Sequence, residues 1–292
     1  MMLDIIYNPA SGHFRGKRLH ALANAFAALG FQPRLAMTRP EGVSVPDDAR
    51  LVCVHGGDGT LQMVARALGE RIGQVPLCIY PAGTVNLIAR ELGYAGDPGR
   101  FAQQVVEAWT RGADSWVHSP LLDFEGVPVM ACLSIGPDST VVANLSPGLK
   151  ARIGRYAYLV SGLKLLRNWS RQRFDISAGL ADGGTVRTSA EAAFLSRGRF
   201  YAGPFVLSPR ARVDADSFEL ITLPRAGRLR CAGVALAVMA GLPTDRLGLT
   251  RSRSVRSVEL GNRTLPVQID GDALPPRPVR AALAGPVVRY CV

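Results

Sequence analysis

Three glycines surround one acid in Gly56-Gly57-Asp58-Gly59-Thr60. This turn lies between an apolar run, Leu51 to Val54, and a run with helical spacing, Leu61, Val64, Ala65 and Leu68. Glycine lets a backbone approach an anion closely, and a helix starting after such a turn offers free N–H groups and the positive end of its dipole. Asp58 would repel a bare phosphate, so its presence implies a further component. That component is either a Mg²⁺ ion beside the phosphates, reached directly or through water, or a neighbouring loop that the carboxylate bonds. Capping of the helix that begins at Thr60 is the plain structural alternative and is compatible with both. The chain has no GxxxxGK[ST] loop, no GxGxxG turn after its first strand and no GxSxG elbow. A Walker-type NTPase, a dinucleotide-binding turn and an α/β-hydrolase therefore lack their signatures.

The elements that position this turn repeat. "LDIIY" (Leu3 to Tyr7) reads as a buried strand that ends in "NPASG", and Leu19, Leu22, Phe26 and Leu29 give the face of a following helix. "FQPRLAMT" is a second strand closing at Thr38. "PLCIY" is a strand that opens into "PAGTVN" and a helical run to Leu92. Asp97 caps a further helix with Pro98 at its first position, Phe101, Val105 and Trp109 facing inward and Gly112 stopping it. Strand–turn–helix repetition predicts a mostly parallel sheet with helices on both faces. All strands of such a sheet end on one edge, so "NPASG", "GGDGT", "PAGTVN" and Thr38 converge where α/β sheets bind ligands.

Beyond about Ala113 the texture changes to short strands separated by turn pairs, Glu125-Gly126, Asp182-Gly183-Gly184 and Asp270-Gly271. This predicts an antiparallel β domain interrupted by two helices, Leu149 to Leu166 and a run around Arg228 to Met239. The first carries Lys150, Arg152, Arg155 and Lys164 among Tyr156, Tyr158 and Leu159. It reads either as a cationic helix lying on an anionic bilayer or as a solvated helix packed on the β domain.

Of 292 residues, 34 are Lys or Arg and 23 are Asp or Glu, a formal net charge of +11 that favours an anionic partner. Nucleic-acid signatures are absent, so no nucleic-acid partner is expected. Five cysteines without CxxC spacing read as reduced thiols in a cytoplasmic protein, and four histidines show no metal-ligand spacing. His55 touches the glycine turn and is assigned to the rim or core. No basic leader precedes Asp4, and the longest apolar segment, Cys231 to Leu242, is short for a bilayer span.

The ordered set "YNPASG", "GGDGT", "PAGTVNLIAREL", "SIGPDSTVV", the basic helix and "VQIDGDAL" resembles the diacylglycerol kinase catalytic domain family, including the bacterial soluble lipid kinases. The resemblance implies an α/β nucleotide-binding domain of the NAD-kinase/diacylglycerol-kinase type over residues 1–115. An antiparallel β-sandwich-like, lipid-acceptor domain follows over 116–292. It also implies an ATP- and Mg²⁺-dependent lipid kinase acting on a membrane lipid hydroxyl, in peripheral contact with an anionic membrane surface at the inner face. Gly56, Gly57, Asp58, Gly59, Thr60, Leu61, Gln62, Thr38 and Thr84 would hold the nucleotide. Asn8, Ser11 and Asn86 would support the phosphate loops, and Asp270 would be the general base; by itself, Asp270-Gly271 also reads as a hairpin turn. The sequence departs from the family at Pro137, at Asp272 in place of Glu, and at "SRGRFYAGP". It departs again at "RARVDADSFEL", where the family's metal-binding register falls on Ala215 and leaves Asp214 and Asp216 as the candidate ligands. An NAD kinase shares the "GGDGT" turn but not "PAGTVN". A non-catalytic nucleotide- or lipid-binding regulator is the reading from another class. The sequence leaves open which lipid is the acceptor, ATP against GTP, and oligomeric state.

Overall fold

A computed structural model describes residues 1–137, 139, 171–261 and 264–292, which divide into two units, Met1–Leu121 with Gly285–Val292 and Leu122–Ala284. The expected boundary at 115 moves to 121, and residues 285–292 return to the first unit. They return because Tyr290 pairs in parallel with Leu77 and the Cys291 amide donates to the Leu77 carbonyl at 2.9 Å. The expected cationic helix, Leu149 to Leu166, and Asp138 lie outside the described residues.

In the first unit, β1 (Met2–Tyr7), β2 (Gln32–Met37), β3 (Val52–Gly56) and β4 (Leu77–Pro81) form a parallel sheet in the order β4-β3-β1-β2. All of β3 is buried, as are the inner residues of β1 and β4, which explains their unbroken apolar reading. Helix α1 (Gly16–Ala28) buries Leu19, Leu22 and Phe26, while Leu29 is the exposed C-cap. Helices α2 (Asp58–Leu68) and α3 (Leu87–Glu91) each follow a strand end. In α4 (Pro98–Arg111), Asp97 Oδ1 accepts from the Arg100 amide at 3.0 Å and Pro98 opens the helix. Ala108, not Trp109, completes its buried face; Trp109 is half-buried and packs on Trp116 with ring centroids 5.4 Å apart.

The second unit is antiparallel. It contains β6 (Val127–Val129), β7 (Cys132–Ile135), β8 (Phe174–Leu180), β9 (Thr185–Ala190), β10 (Ala192–Ser196), β11 (Phe200–Tyr201), β12 (Phe205–Val206), β13 (Phe218–Leu223), β14 (Arg251–Leu260), β15 (Leu265–Ile269) and β16 (Asp272–Arg277). Two strands cross the unit boundaries, β5 (Val117–Phe124) at its end and β17 (Arg280–Tyr290) at its start. One path runs β16-β15-β7-β10-β13-β14, with β8 and β9 continuing from β14. Its core includes Phe124, Leu133, Phe174, Phe218, Val255 and Ile269. Each expected turn joins two strands. Glu125-Gly126 and Asp270-Gly271 have both residues at positive φ, the two-residue geometry whose twist matches antiparallel strands. The single described helix of this unit, α5 (Arg228–Met239), packs Cys231, Val234 and Val238 against Phe194, Leu207, Ile221 and Leu223. Among the described residues no helix is long and apolar enough to cross a membrane.

Candidate functional site: a glycine cradle and a hairpin carboxylate

The three loops of the first unit meet backbone to backbone. A Cβ on Gly83 would stand 2.5 Å from Gly57 Cα, one on Gly12 would stand 2.3 Å from Thr84 Oγ1, and one on Gly56 would stand 2.5 Å from Thr60 Cβ. These glycines are therefore required by close approach between loops, whatever they bind. Ala82 and Gly83 amides both donate to the Gly56 carbonyl, at 3.0 and 3.1 Å. The His13 amide donates to Ala82 O at 2.9 Å, and His13 Nδ1 donates to Gly83 O at 2.7 Å. His13 thus ties "NPASG" to "PAGTVN", a role with no signal in residue spacing.

The predicted residues divide into those that build the cradle and those that face it. Asn8 accepts from the Ala10 amide at 2.9 Å and donates Nδ2–H to Thr60 Oγ1 at 3.1 Å. The Ser11 amide closes on Asn8 O at 3.1 Å, and the buried Thr38 holds the end of β2 through its amide on Tyr7 O, 2.9 Å. Asn86 sits in the left-handed region (φ 56°), accepting from the Gly83 amide and donating to the Gly83 carbonyl, both at 2.8 Å. Leu61 is fully buried and Gln62 nearly so, so Leu61 belongs to the core and offers a ligand only its backbone. Gly57 and Gly59 open the first turn of α2, where amides lack intrahelical partners. Thr84 is half-buried beside Gly12.

Asp58 resolves in favour of the neighbouring loop. Its two oxygens accept the Leu87 and Ile88 amides at 2.8 and 3.0 Å, so it caps α3 and gives α2 no side-chain cap. Burial pushes its carboxyl above the ordinary range, and the two amides pull it part of the way back. A buried carboxylate already committed to two amides suits a clamp between loops better than a direct metal ligand. Beside it, His55 is fully buried, stacked on Tyr80 at 5.0 Å and edge-on to Phe14 at 5.8 Å. Neither ring nitrogen has a partner among the described residues, and burial lowers its pKa, which keeps the imidazole neutral. The core assignment holds for it.

In the second unit, Asp270 is both hairpin turn and bound carboxylate. Its φ is 51°, Oδ2 accepts the Met130 amide at 2.8 Å, and Oδ1 accepts Ala131 and Cys132 amides at 2.8 and 3.0 Å. Gln268 Oε1 accepts the Gly271 amide at 2.9 Å, which fixes the same turn. The hairpin tip is thus pinned to the β6–β7 connection with its carboxylate held in one orientation.

The "VDADS" loop is tied down by guanidinium groups. Arg197, 1% exposed, donates to the carbonyls of Val213, Ala215 and Ser217 from the interior. Asp214 is clasped in a two-bond pair by Arg212, at 2.9 and 2.7 Å, which holds its carboxyl below the usual range. Asp216 contributes its carbonyl to Arg256 at 3.0 Å. Among the described residues no three His, Cys, Asp or Glu side chains gather to hold a metal. Guanidinium groups thus engage the Asp214 carboxylate and the Val213, Ala215 and Ser217 carbonyls of this loop.

Residues 2–117 match the diacylglycerol kinase catalytic domain. The chain is 33% identical to a probable lipid kinase YegS-like protein of Pseudomonas aeruginosa PAO1 over 58% of its length and 53% of that relative. It is also 24% identical to a diacylglycerol kinase of Staphylococcus carnosus over 92% of the chain and 87% of that relative. The match spans about half the length of the YegS-like relatives. In fold it is similar to a solved putative diacylglycerol kinase of Bacillus anthracis, with a TM-score of 0.71 at 18% identity, covering 97% of this chain and 92% of that one.

Proposed function

We propose that this protein is an ATP- and Mg²⁺-dependent lipid kinase that transfers the γ-phosphate to a hydroxyl of a membrane lipid such as diacylglycerol. The observation that carries the reading is the cradle in which Gly12, Gly56 and Gly83 leave no room for a Cβ and Gly57 leaves little. Such a cradle suits the phosphates of a nucleotide, with the first turn of α2 directing amides at them. Asp58 keeps "GGDGT" and α3 in register, so it acts through the loops. Mg²⁺ carried on the nucleotide's phosphates would neutralise their charge. Asp270 is the general base. The acceptor oxygen forms a bond to the γ-phosphorus, the bond from that phosphorus to the β–γ bridging oxygen breaks, ADP leaves, and the hydroxyl proton passes to the Asp270 carboxylate. The enzyme works peripherally on an anionic membrane surface, at the inner face where ATP is available.

The test is transfer of label from γ-labelled ATP in the presence of Mg²⁺ to a panel of lipids in mixed micelles and to NAD, with wild type and Asp270→Asn. Label in a lipid, lost in the variant, is the expected result and names the acceptor. Label in NAD replaces this reading with an NAD kinase, and ATP binding without label anywhere replaces it with a nucleotide-binding regulator.

A further inference from the structure

Helix α5 has two apolar faces where the fold uses one. Cys231, Val234 and Val238 point into the unit. The 3-4-3 spacing of Leu229, Ala232, Leu236 and Met239 sets a second stripe on the opposite side of the helix. That stripe is bare: Leu229 is 91% exposed, Leu236 63% and Met239 55%. The connection after the helix extends it with Leu242 at 49% and Leu247 at 53%. Single exposed leucines are ordinary, but five large apolar side chains on one helix and its adjoining loop are a patch that a partner covers.

The helix itself is firmly held, so the exposure is not that of a loose segment. Glu191 Oε2 accepts the Ala226 amide just before it at 2.7 Å, and Arg230 donates to the carbonyls of Gly248 and Leu249, fastening the following loop to it. Charge around the stripe is mostly positive. Arg225, Arg228 and Arg246 are exposed beside it, α5 contains no acid, and Asp245 faces Arg210 at 3.8 Å. Beneath the extension lies a cavity of about 330 Å³ whose wall includes Leu242, Thr244, Thr250, Arg210 and Arg246. An apolar stripe flanked by arginines matches the boundary between acyl chains and anionic headgroups. A second copy fits less well, because a two-fold contact through the stripe would put the same cationic rim on both sides.

We propose that α5 and the loop to Leu249 dock the protein on an anionic bilayer, with Leu229, Leu236, Met239, Leu242 and Leu247 inserted and Arg225, Arg228 and Arg246 at the phosphates. This builds on the reading of a membrane-lipid acceptor and names the surface that reaches the membrane. The experiment is sedimentation of the full chain with phosphatidylglycerol–phosphatidylcholine vesicles and with phosphatidylcholine vesicles alone. Wild type is compared with Leu229→Asp/Leu236→Asp and with Arg225→Gln/Arg228→Gln, each checked for an unchanged melting temperature. The expected result is binding to anionic vesicles that weakens about tenfold or more in the leucine variant and less steeply, with loss of salt sensitivity, in the arginine variant. Wild-type binding by the leucine variant overturns the proposal. So does a wild type that is dimeric without vesicles while that variant is monomeric, which assigns the stripe to a second copy. Phosphate transfer read in parallel on a dispersed short-chain lipid separates the two readings. Its absence with vesicle binding intact counts against the kinase alone, and its presence with no stripe effect on vesicles counts against the docking alone.

Discussion

Asp58 and Asp270 are the two acids that the motifs single out, and the two units treat them differently. Asp58 is buried, accepts two amides from the start of α3, and is surrounded by loops packed glycine against glycine. Asp270 stands at the tip of a two-residue hairpin, half-buried, with three amides of the β6–β7 connection on its oxygens. The first arrangement closes a carboxylate away from chemistry and makes it a joint between loops. The second leaves the residue only half-buried and removes the carboxylate's freedom to turn, the orientation that the proposed base on an incoming hydroxyl needs. Identical side chains are thus held by backbone amides in both units and differ in burial.

The largest effect expected from breaking this contrast is at Asp270. Asp270→Asn should lower turnover by a factor of about 10²–10⁴, the usual contribution of a positioned base. Its stability should also fall, by about 1–3 kcal/mol, because a side-chain NH₂ replaces an oxygen that accepts a backbone amide, so turnover is compared at a temperature where both proteins are folded. Steady-state kinetics beside thermal unfolding decides the matter: turnover near wild type would make the hairpin tip structural, like Asp58.

Arg197 tests how the "VDADS" loop of the second unit is held. Arg197→Ala removes the donor of one buried carbonyl, Val213, and two part-buried ones, Ala215 and Ser217, so a loss of about 1–3 kcal/mol or somewhat more is expected. Arg197→Lys should recover part of it, a point donor replacing a fork. Denaturant unfolding of the wild type should give the same midpoint with a chelator as with excess Mg²⁺. A chelator-sensitive midpoint would mean that the unit takes a structural cation despite the guanidinium.

Gly83 tests the cradle. The alanine methyl would stand 2.5 Å from Gly57 Cα and 2.7 Å from Asn86 Oδ1, so the loops must part. Overpacking of this kind costs about 1–3 kcal/mol, equivalent to a nucleotide affinity roughly ten- to a hundredfold weaker if the strain falls on the bound geometry. Gly16→Ala, where nothing lies within 4 Å, is the matched control and should bind nucleotide as the wild type does. Equal affinities for the two variants would remove the cradle from nucleotide binding.

Much of this was legible in the chain. The strand and helix repeat of the first unit followed from runs such as "LDIIY" and "PLCIY", because strands buried on both faces need continuous apolar residues. The three turn pairs of the second unit were visible because only Gly and a few polar residues accept positive φ. Ala108 in place of Trp109 could not be read, since helix period fixes a face while the shape of the opposing surface chooses which flank is buried. The return of residues 285–292 to the first sheet is a contact far along the chain, for which local pattern carries no signal. At the site, the glycines announced a close approach without saying that they first approach one another. The partner of Asp58 was hidden because Leu87 and Ile88 contribute amides, and backbone donors leave no mark on residue type. Arg197 could not be singled out, since a buried cation and a surface arginine share one letter.

The smallest expected effect concerns pH and returns to the first unit, where His55 and Asp58 pull in opposite senses. His55 is held neutral by burial, its pKa below the ordinary 6.5, whereas the unfolded chain takes up a proton at that value. The unfolded state therefore binds more protons as pH falls below about 6.5, and stability declines in that window until the folded ring protonates. Asp58 has a folded pKa above the ordinary 3.8, so the folded state binds the extra proton. Its contribution is fully present at pH below 3.8 and is lost as pH rises through the folded value. His55→Phe retains the stacking on Tyr80 and removes the two unpartnered nitrogens. Its melting temperature should therefore pull ahead of the wild type's between about pH 7 and about pH 5. Asp58→Asn should move the other way between about pH 3.8 and the raised folded value, losing ground to the wild type as acidification relieves the buried charge. Parallel melting curves for wild type and both variants across the range would show that neither group titrates differently on folding. The clamp role of Asp58 would then rest on its two hydrogen bonds alone.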